Sequence, residues 1–298
     1  MSRRGIVLFA LMAVIWGIPY LLIRVAVEEV SPAVLVFART GLGALILLPI
    51  VIGRGDLRSI LREWRWVGAF AIIEMALPWV MVASAEQHIP SSTAALLIAG
   101  VPLVGAVIAM ARPAGEAVGR TAIIGLFVGL AGVAAIVGID SSPTDPIALV
   151  QMAIAVVCYA VGPVILARRL GHVSGMGVSA VSLAMTAALY LVPAATQLPA
   201  GPVGTDTLVA LALLGIVCTA AALVLFAALI AEVGPVRATV ITYVNPAVAT
   251  VLGVAILGEP LTVGLVVGFV LVLVGSALAT RPARPAEPAP VLVASEPA

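Results

Sequence analysis

Apolar runs separated by short polar or Pro/Gly-containing breaks recur ten times along this chain. They fall at about residues 5–25, 33–53, 66–86, 92–111, 119–138, 147–167, 175–195, 206–230, 236–257 and 262–280. A helix of about 20 residues spans a hydrocarbon core of ~30 Å, so the pattern predicts an all-α integral membrane protein of ten transmembrane helices. The first run follows Met1-Ser2-Arg3-Arg4 and superficially resembles a signal peptide. From its full-span length and the lack of a clear small-residue cleavage site it is expected to be a retained first helix acting as a signal anchor.

The runs carry an internal register. Pro102 and Pro246 lie 144 positions apart, and the same step relates Pro19 to Pro163, Arg24 to Arg168 and Pro49 to Pro193. Beyond the central prolines the step is 143, relating Glu116 to Glu259, Gly125 to Gly268 and Gly132 to Gly275. So many landmarks in order argue for duplication. Each copy holds an odd number of helices, five, so the second must enter the membrane from the opposite face. The expected architecture is two inverted five-helix repeats around a central cavity, a construction used by secondary transporters. The units are 1–140 for helices one to five, 141–281 for helices six to ten, and a tail, 282–298. That tail continues the proline-rich stretch Arg-Pro-Ala-Arg-Pro-Ala-Glu-Pro-Ala-Pro and is expected to be disordered in the cytoplasm.

Composition agrees. Apolar residues make up 63% of the chain, against about 45–50% in soluble domains, while charged residues make up 10% and mean hydropathy is +1.25. All 15 basic residues are arginine. Without lysine there is no Walker A phosphate lysine and no Schiff-base attachment of retinal or pyridoxal phosphate; no cofactor and no nucleic-acid partner are expected. Cys158 and Cys218 fall inside apolar runs and read as small core residues. His88 and His172 are loop histidines without ligand spacing, so no metal site is expected. Placing the N-terminus inside puts Arg3, Arg4, Arg54, Arg58, Arg62, Arg65, Arg112, Arg120, Arg168, Arg169, Arg237, Arg281 and Arg284 on the inner side. Only Arg24 and Arg39 lie toward the outside, where Glu28, Glu29, Glu86, Asp140, Asp145 and Asp206 collect. By the positive-inside rule both termini are cytoplasmic, in a multi-pass protein of the cytoplasmic (inner) membrane.

The landmarks resemble the EamA-type members of the drug/metabolite transporter superfamily over roughly residues 5–280. Trp16-Gly17 with Arg24 resembles the end of the family's first helix. Ser91 through Pro102 and then Gly115-Glu116 resemble its fourth helix and the opening of its fifth. In the second copy Tyr159-Ala160 with Arg168-Arg169, Gly234-Pro235 with Ala238, Asn245-Pro246 and Gly258-Glu259-Pro260-Leu261-Thr262 take the corresponding places. Where the family often has Glu-Pro, this chain has Val101-Pro102 and Asn245-Pro246, with no carboxylate at either place. The resemblance implies a ten-helix carrier of small metabolites, often an exporter, with amino acids among the family's substrates. It also implies a cavity lined by helices one, three, four, six, eight and nine.

Several residues are candidates for that cavity. Pro19, Pro102, Pro163 and Pro246 lie within helices of both copies, where proline removes a donor and frees carbonyls; they are expected to kink or hinge the helices, against ordinary membrane kinks. Trp16, Tyr159, Tyr243 and Asn245 are candidates to stack on and hydrogen-bond an amphipathic solute, against plain packing; Tyr20, near a helix end, suits an interfacial anchor. Glu74 is the deepest carboxylate in the sequence, four residues before Pro78 on one face. An acid at mid-span is costly and marks function, as a protonatable group or counter-charge; the rival is a neutral, hydrogen-bonded acid. Its partner by the repeat is Cys218. Pairing with Arg39 would have to bridge roughly 9 Å, so Arg39 is expected to snorkel outward to Glu28 or Glu29. Arg24 and Glu28 have i,i+4 spacing. Glu116 and Glu259 are expected to serve the first turns of their own helices. Gly125-x-x-x-Gly129 and Gly264-x-x-x-Gly268 allow close approach, either of helices five and ten to each other or to a second subunit in a homodimer.

The function expected from all this is secondary transport of a small amphipathic metabolite, an amino acid or related compound, by export and alternating access. A passive channel is the alternative. A membrane-embedded enzyme needs clustered acids, histidines or a nucleophile–base pair, and only Glu74 qualifies at depth. Partners are the small-molecule substrate and membrane lipid.

Overall fold

The computed structural model describes residues 2–110, 120–138, 145–234 and 238–280. Arg112, Gly115, Glu116, Asp140, Pro235, Arg237, Arg281, Arg284 and the tail 282–298 lie outside the described residues. Among the described residues there are helices and no strand. The first crossing is α1 (Arg3–Ile15) and α2 (Ile18–Ala26); the second is α3 (Pro32–Gly53), followed by the short α4 (Leu57–Arg62). The third joins α5 (Trp64–Phe70), a π-helical turn (Ala71–Ala76) and α6 (Leu77–Ala85), and the fourth joins α7 (Ser91–Ile98) and α8 (Val101–Met110). Then come α9 (Arg120–Gly138), α10 (Pro146–Arg169) and α11 (Gly175–Thr196). Next, α12 (Thr205–Gly215), a second π-helical turn (Ile216–Ala221) and α13 (Ala222–Val233) are continuous. A 3₁₀ turn (Thr239–Tyr243) leads into α14 (Asn245–Leu257), and α15 (Val263–Ala279) closes the described fold. Nine of the resulting stretches are long and apolar enough to cross a membrane; α15, equally apolar, has 17 residues.

The chain supplies its own helix starts. Ser2, Ser31, Asp145, Ser174 and Thr262 each accept from a backbone amide of the following turn, satisfying donors that a helix leaves free. Pro32 and Pro146 stand in first turns, where the missing N–H costs nothing.

The most extensive packings all join an element of the first half to one of the second: α9 with α15, α3 with α11, α6 with α10, α2 with α12, α7 with α14, and α1 with α13. The halves are interleaved, not side by side. Between α9 and α15 the backbones touch. A Cβ on Gly125 would lie 2.7 Å from the Gly275 carbonyl oxygen, and one on Gly132 would lie 2.7 Å from the Val272 amide. The glycines of helices five and ten thus face each other within one chain. The two π-helical turns start 145 residues apart, at Ala71 and Ile216, so an uncommon local feature recurs near the register of the repeat.

Candidate functional site

The two π-helical turns arise by different chemistry. In the first, Pro78 brings no N–H to the carbonyl of Glu74, and the amide of Leu77 reaches back five residues to Ile72. Tyr190 of α11 donates its hydroxyl to the Ala76 carbonyl at 3.0 Å, tying the widened turn to its neighbour. In the second, the hydroxyl of Thr219 donates to the Leu214 carbonyl, also five residues back, at 2.8 Å. A hydroxyl bonding into the preceding turn competes with the regular backbone ladder, and π-turns inside helices frequently mark functional sites.

Between these turns the structure gathers a polar cluster. Arg39, the eighth residue of α3, is only 8% exposed. Its Nε donates to Thr219 Oγ1 at 2.9 Å, and its guanidinium carbon lies 3.7 Å from the centre of the Trp79 ring. Arg39 therefore turns inward rather than snorkelling to Glu28 or Glu29 as expected. The reason is packing: Thr219 supplies an acceptor and Trp79 an aromatic face, and a desolvated cation over a ring gains about 2 kcal/mol. Tyr159 of α10 lies within electrostatic reach of Arg39 and of Glu74. Glu74 packs against Gly162, where a side chain would collide with the carboxylate. Its Oε2 is buried and has no hydrogen-bond partner. Tyr20, expected as an interfacial anchor, instead packs on the core and comes within electrostatic reach of Tyr159, Glu86 and Arg39.

A second polar group lies at the end of the bundle that carries the acidic loops. Arg24 donates to the Glu86 carbonyl at 2.7 Å and approaches Glu28 to 3.8 Å, the i,i+4 pair expected. Glu86 itself, directly after α6, is fully buried and neither carboxyl oxygen has a partner. Burial first, and then neighbouring Glu259, push its carboxyl well above the usual carboxylate range, against the pull of Arg24 and Arg39. Glu259 does not serve its own helix, which Thr262 caps. It accepts from the amides of Ser91 and Ser92 at 2.7 and 3.0 Å, capping α7 from the other half of the chain. Gly258, at φ 66°, makes the left-handed turn that swings Glu259 there. Arg24, Glu28, Gln87, His88, Pro90 and Glu259 line a polar cleft of about 290 Å³.

The other sequence candidates are dispersed. Trp16 packs on Phe226, with ring centroids 4.6 Å apart, in the cluster between α1 and α13. The amide of Asn245, in the orientation that satisfies its neighbours, donates to the carbonyls of Ala13 and Ile241 at 3.1 and 2.9 Å. Tyr243 places its hydroxyl 3.4 Å from that of Thr280. Pro19, Pro78, Pro102 and Pro246 each stand second in a helical segment, where the path of the chain changes, whereas Pro163 lies inside the unbroken α10. Beside Pro19 the two segments pack closely: a Cβ on Gly17 would lie 2.6 Å from the Val248 side chain and 3.0 Å from the Asn245 carbonyl oxygen. An outward-facing apolar groove of about 390 Å³ runs there, walled by Val14, Ile18, Ala247, Val248, Val251 and Leu252. Cys158 and Cys218 are buried free thiols. Sequence reading placed Arg39 and Glu86 toward the outside and did not single out Thr219, whereas the structure buries all three in these polar groups. The cue it had was an arginine well inside an apolar run.

Comparison with known proteins bears on what such a bundle does. The model of the EamA-like transporter family matches twice, over residues 3–138 and 146–281. The uncharacterized inner membrane transporter YedA of Escherichia coli (strain K12) is 29% identical over 288 residues, covering 93% of this chain and 92% of YedA. YedA of Escherichia coli O157:H7 matches to the same extent. A solved structure described only as the crystal structure of a protein superimposes with a TM-score of 0.66 at 25% identity, covering 94% of this chain and 98% of that one.

Proposed function

Because the chain belongs to the EamA-like transporter family, we propose that it is a secondary transporter of the inner membrane that exports a small amphipathic metabolite, an amino acid or a related compound, by alternating access. Membrane transport of the drug/metabolite type is the premise. Substrate class, direction and mechanism are our reading.

One observation carries it. The polar cluster at mid-bundle is assembled from both family-matched halves: Arg39, Glu74 and Trp79 come from the first, Tyr159 and Thr219 from the second. Side chains this costly in a membrane face a partner or a solute path. A site built jointly by two halves changes access when the halves rock against each other, as inverted repeats do. The packing pairs support that symmetry. Exchanging each crossing of one half for its counterpart in the other maps α3·α11, α7·α14 and α9·α15 onto themselves. The same exchange interconverts the α6·α10 and α2·α12 packings. Aromatic and apolar surfaces beside charged groups suit a solute with an apolar body and a polar head.

Counterflow into proteoliposomes tests this. Purified protein should accelerate uptake of labelled solute when the lumen is loaded with the same solute, and the rate should saturate. Uptake that rises linearly with concentration and ignores the solute inside would mean a passive pore.

A further inference from the structure

We propose that Arg39 is the anchor for a carboxylate on the transported solute, an inference that rests on the transporter reading above and narrows its substrate to small organic acids and zwitterions. A buried charge needs a counter-charge or it is strongly destabilising. Three side-chain ion pairs occur among the described residues, and Arg39 is in none of them. Its one hydrogen bond to a described residue uses Nε. The Thr219 hydroxyl that accepts it is already committed as a donor to Leu214, so it fixes the guanidinium's orientation without neutralising it. Trp79 covers one face. Among the described residues no acceptor meets the end of the planar fork, Nη1 and Nη2. Two parallel N–H donors in one plane match the two oxygens of a carboxylate.

The acids nearby do not fill that role. Glu86 acts on Arg39 electrically but beyond ion-pair distance. Glu74 approaches Tyr159 and Gly162 instead. The counter-charge the site calls for is therefore brought in by the solute, and Trp79 and Thr219 are positioning residues for the cation that holds it.

The ring of Trp79 against Arg39 gives a direct readout. With Trp16, Trp64 and Trp66 replaced by Phe, the fluorescence of Trp79 in purified full-length protein is titrated with acetate, benzoate and glycine, and with acetamide, benzamide and glycinamide. At least one acid should give a saturable change that its amide does not. Arg39→Gln should weaken that binding at least thirtyfold, and Arg39→Lys about tenfold, because an ammonium keeps the charge but not the fork. If Arg39→Gln does not fold, Thr219→Val decides: it keeps the charge, loses the orienting hydroxyl, and should weaken the acid at least threefold. Equal responses to every acid and its amide, no saturable response to any acid, or acid binding unchanged in the variants would overturn the proposal. The two readings fail separately. Acid binding without counterflow would sink the transporter and leave the anion site. Counterflow of uncharged or cationic solutes that is indifferent to Arg39→Gln would do the reverse.

Discussion

The carboxylate of Glu259 reaches the amides of Ser91 and Ser92, 168 and 167 residues earlier in the chain, at 2.7 and 3.0 Å. Pro90, the residue before α7, offers no side-chain cap, so those two donors depend on a residue from the other half. Hydrogen bonds to a charged group contribute about 1.5–3 kcal/mol each, and the positive end of a helix favours an anion there. Glu259→Ala should therefore lower the thermal midpoint in detergent clearly, and Glu259→Gln, which keeps an acceptor oxygen, should lower it less. A methyl group on Gly253 would collide with the Glu259 carboxylate. Gly253→Ala should then be costly in the native chain and clearly less so beside Glu259→Ala, which removes the nearest group the methyl meets and leaves Ser91 Oγ at 3.0 Å. Equal costs in both backgrounds would disconnect Gly253 from the cap.

Burial, with Glu259 adding to it, raises the Glu86 carboxyl well above its ordinary value. A raised pKa in the folded state means that the folded protein holds the proton more tightly than the unfolded chain does. The stability this contributes is complete below the ordinary carboxylate pKa and is lost as pH rises toward the folded value. Glu86→Gln keeps the neutral shape at every pH. The variant should match the native protein in acid and melt at a higher temperature than it at neutral and alkaline pH. Parallel midpoint-versus-pH curves for the two proteins would remove Glu86 as the source.

What was legible in the sequence was what depends on a single helix. Spans are written in runs of about 20 apolar residues, and the Arg24–Glu28 contact in its spacing. What was hidden depends on two helices at once. Depth along an isolated helix sends Arg39 outward; only Thr219, 180 residues on, and Trp79 hold it inward. The position of Glu86 just past α6 looks like a loop, yet Arg24 holds its backbone and packing closes over its side chain. The rule that an acid at a helix start serves that helix misplaced Glu259, because Gly258 turns it toward α7.

The contact of α9 with α15 makes a further prediction. A side chain at Gly275 would meet the Gly129 backbone, and one at Gly132 would meet that of Gly268 at 2.8 Å. Backbone cannot swing aside as a side chain can, so added methyl groups must push the helices apart. Overpacking of this kind costs about 1–3 kcal/mol. Gly275→Ala and Gly132→Ala should each lower the thermal midpoint, whereas Gly105→Ala, with nothing within 4 Å of the new methyl, should not. Indistinguishable midpoints for all three would mean that this crossing is looser than the backbone distances indicate.

Glu74 separates a coupling role from a structural one. Its Oε2 is buried without a partner beside the proline-widened turn, with Tyr159 in electrical reach and Gly162 leaving just enough room for the carboxylate. If its proton is exchanged during the transport cycle, Glu74→Gln removes the exchangeable site while keeping the shape. The rate should then lose its dependence on pH in proteoliposomes, with folding intact. Gly162→Ala should also impair transport, because the new methyl displaces the carboxylate from its seat, and Gly162→Ala together with Glu74→Ala should recover space and stability but not pH dependence. A Glu74→Gln protein with the native pH profile would leave the acid a buried packing group.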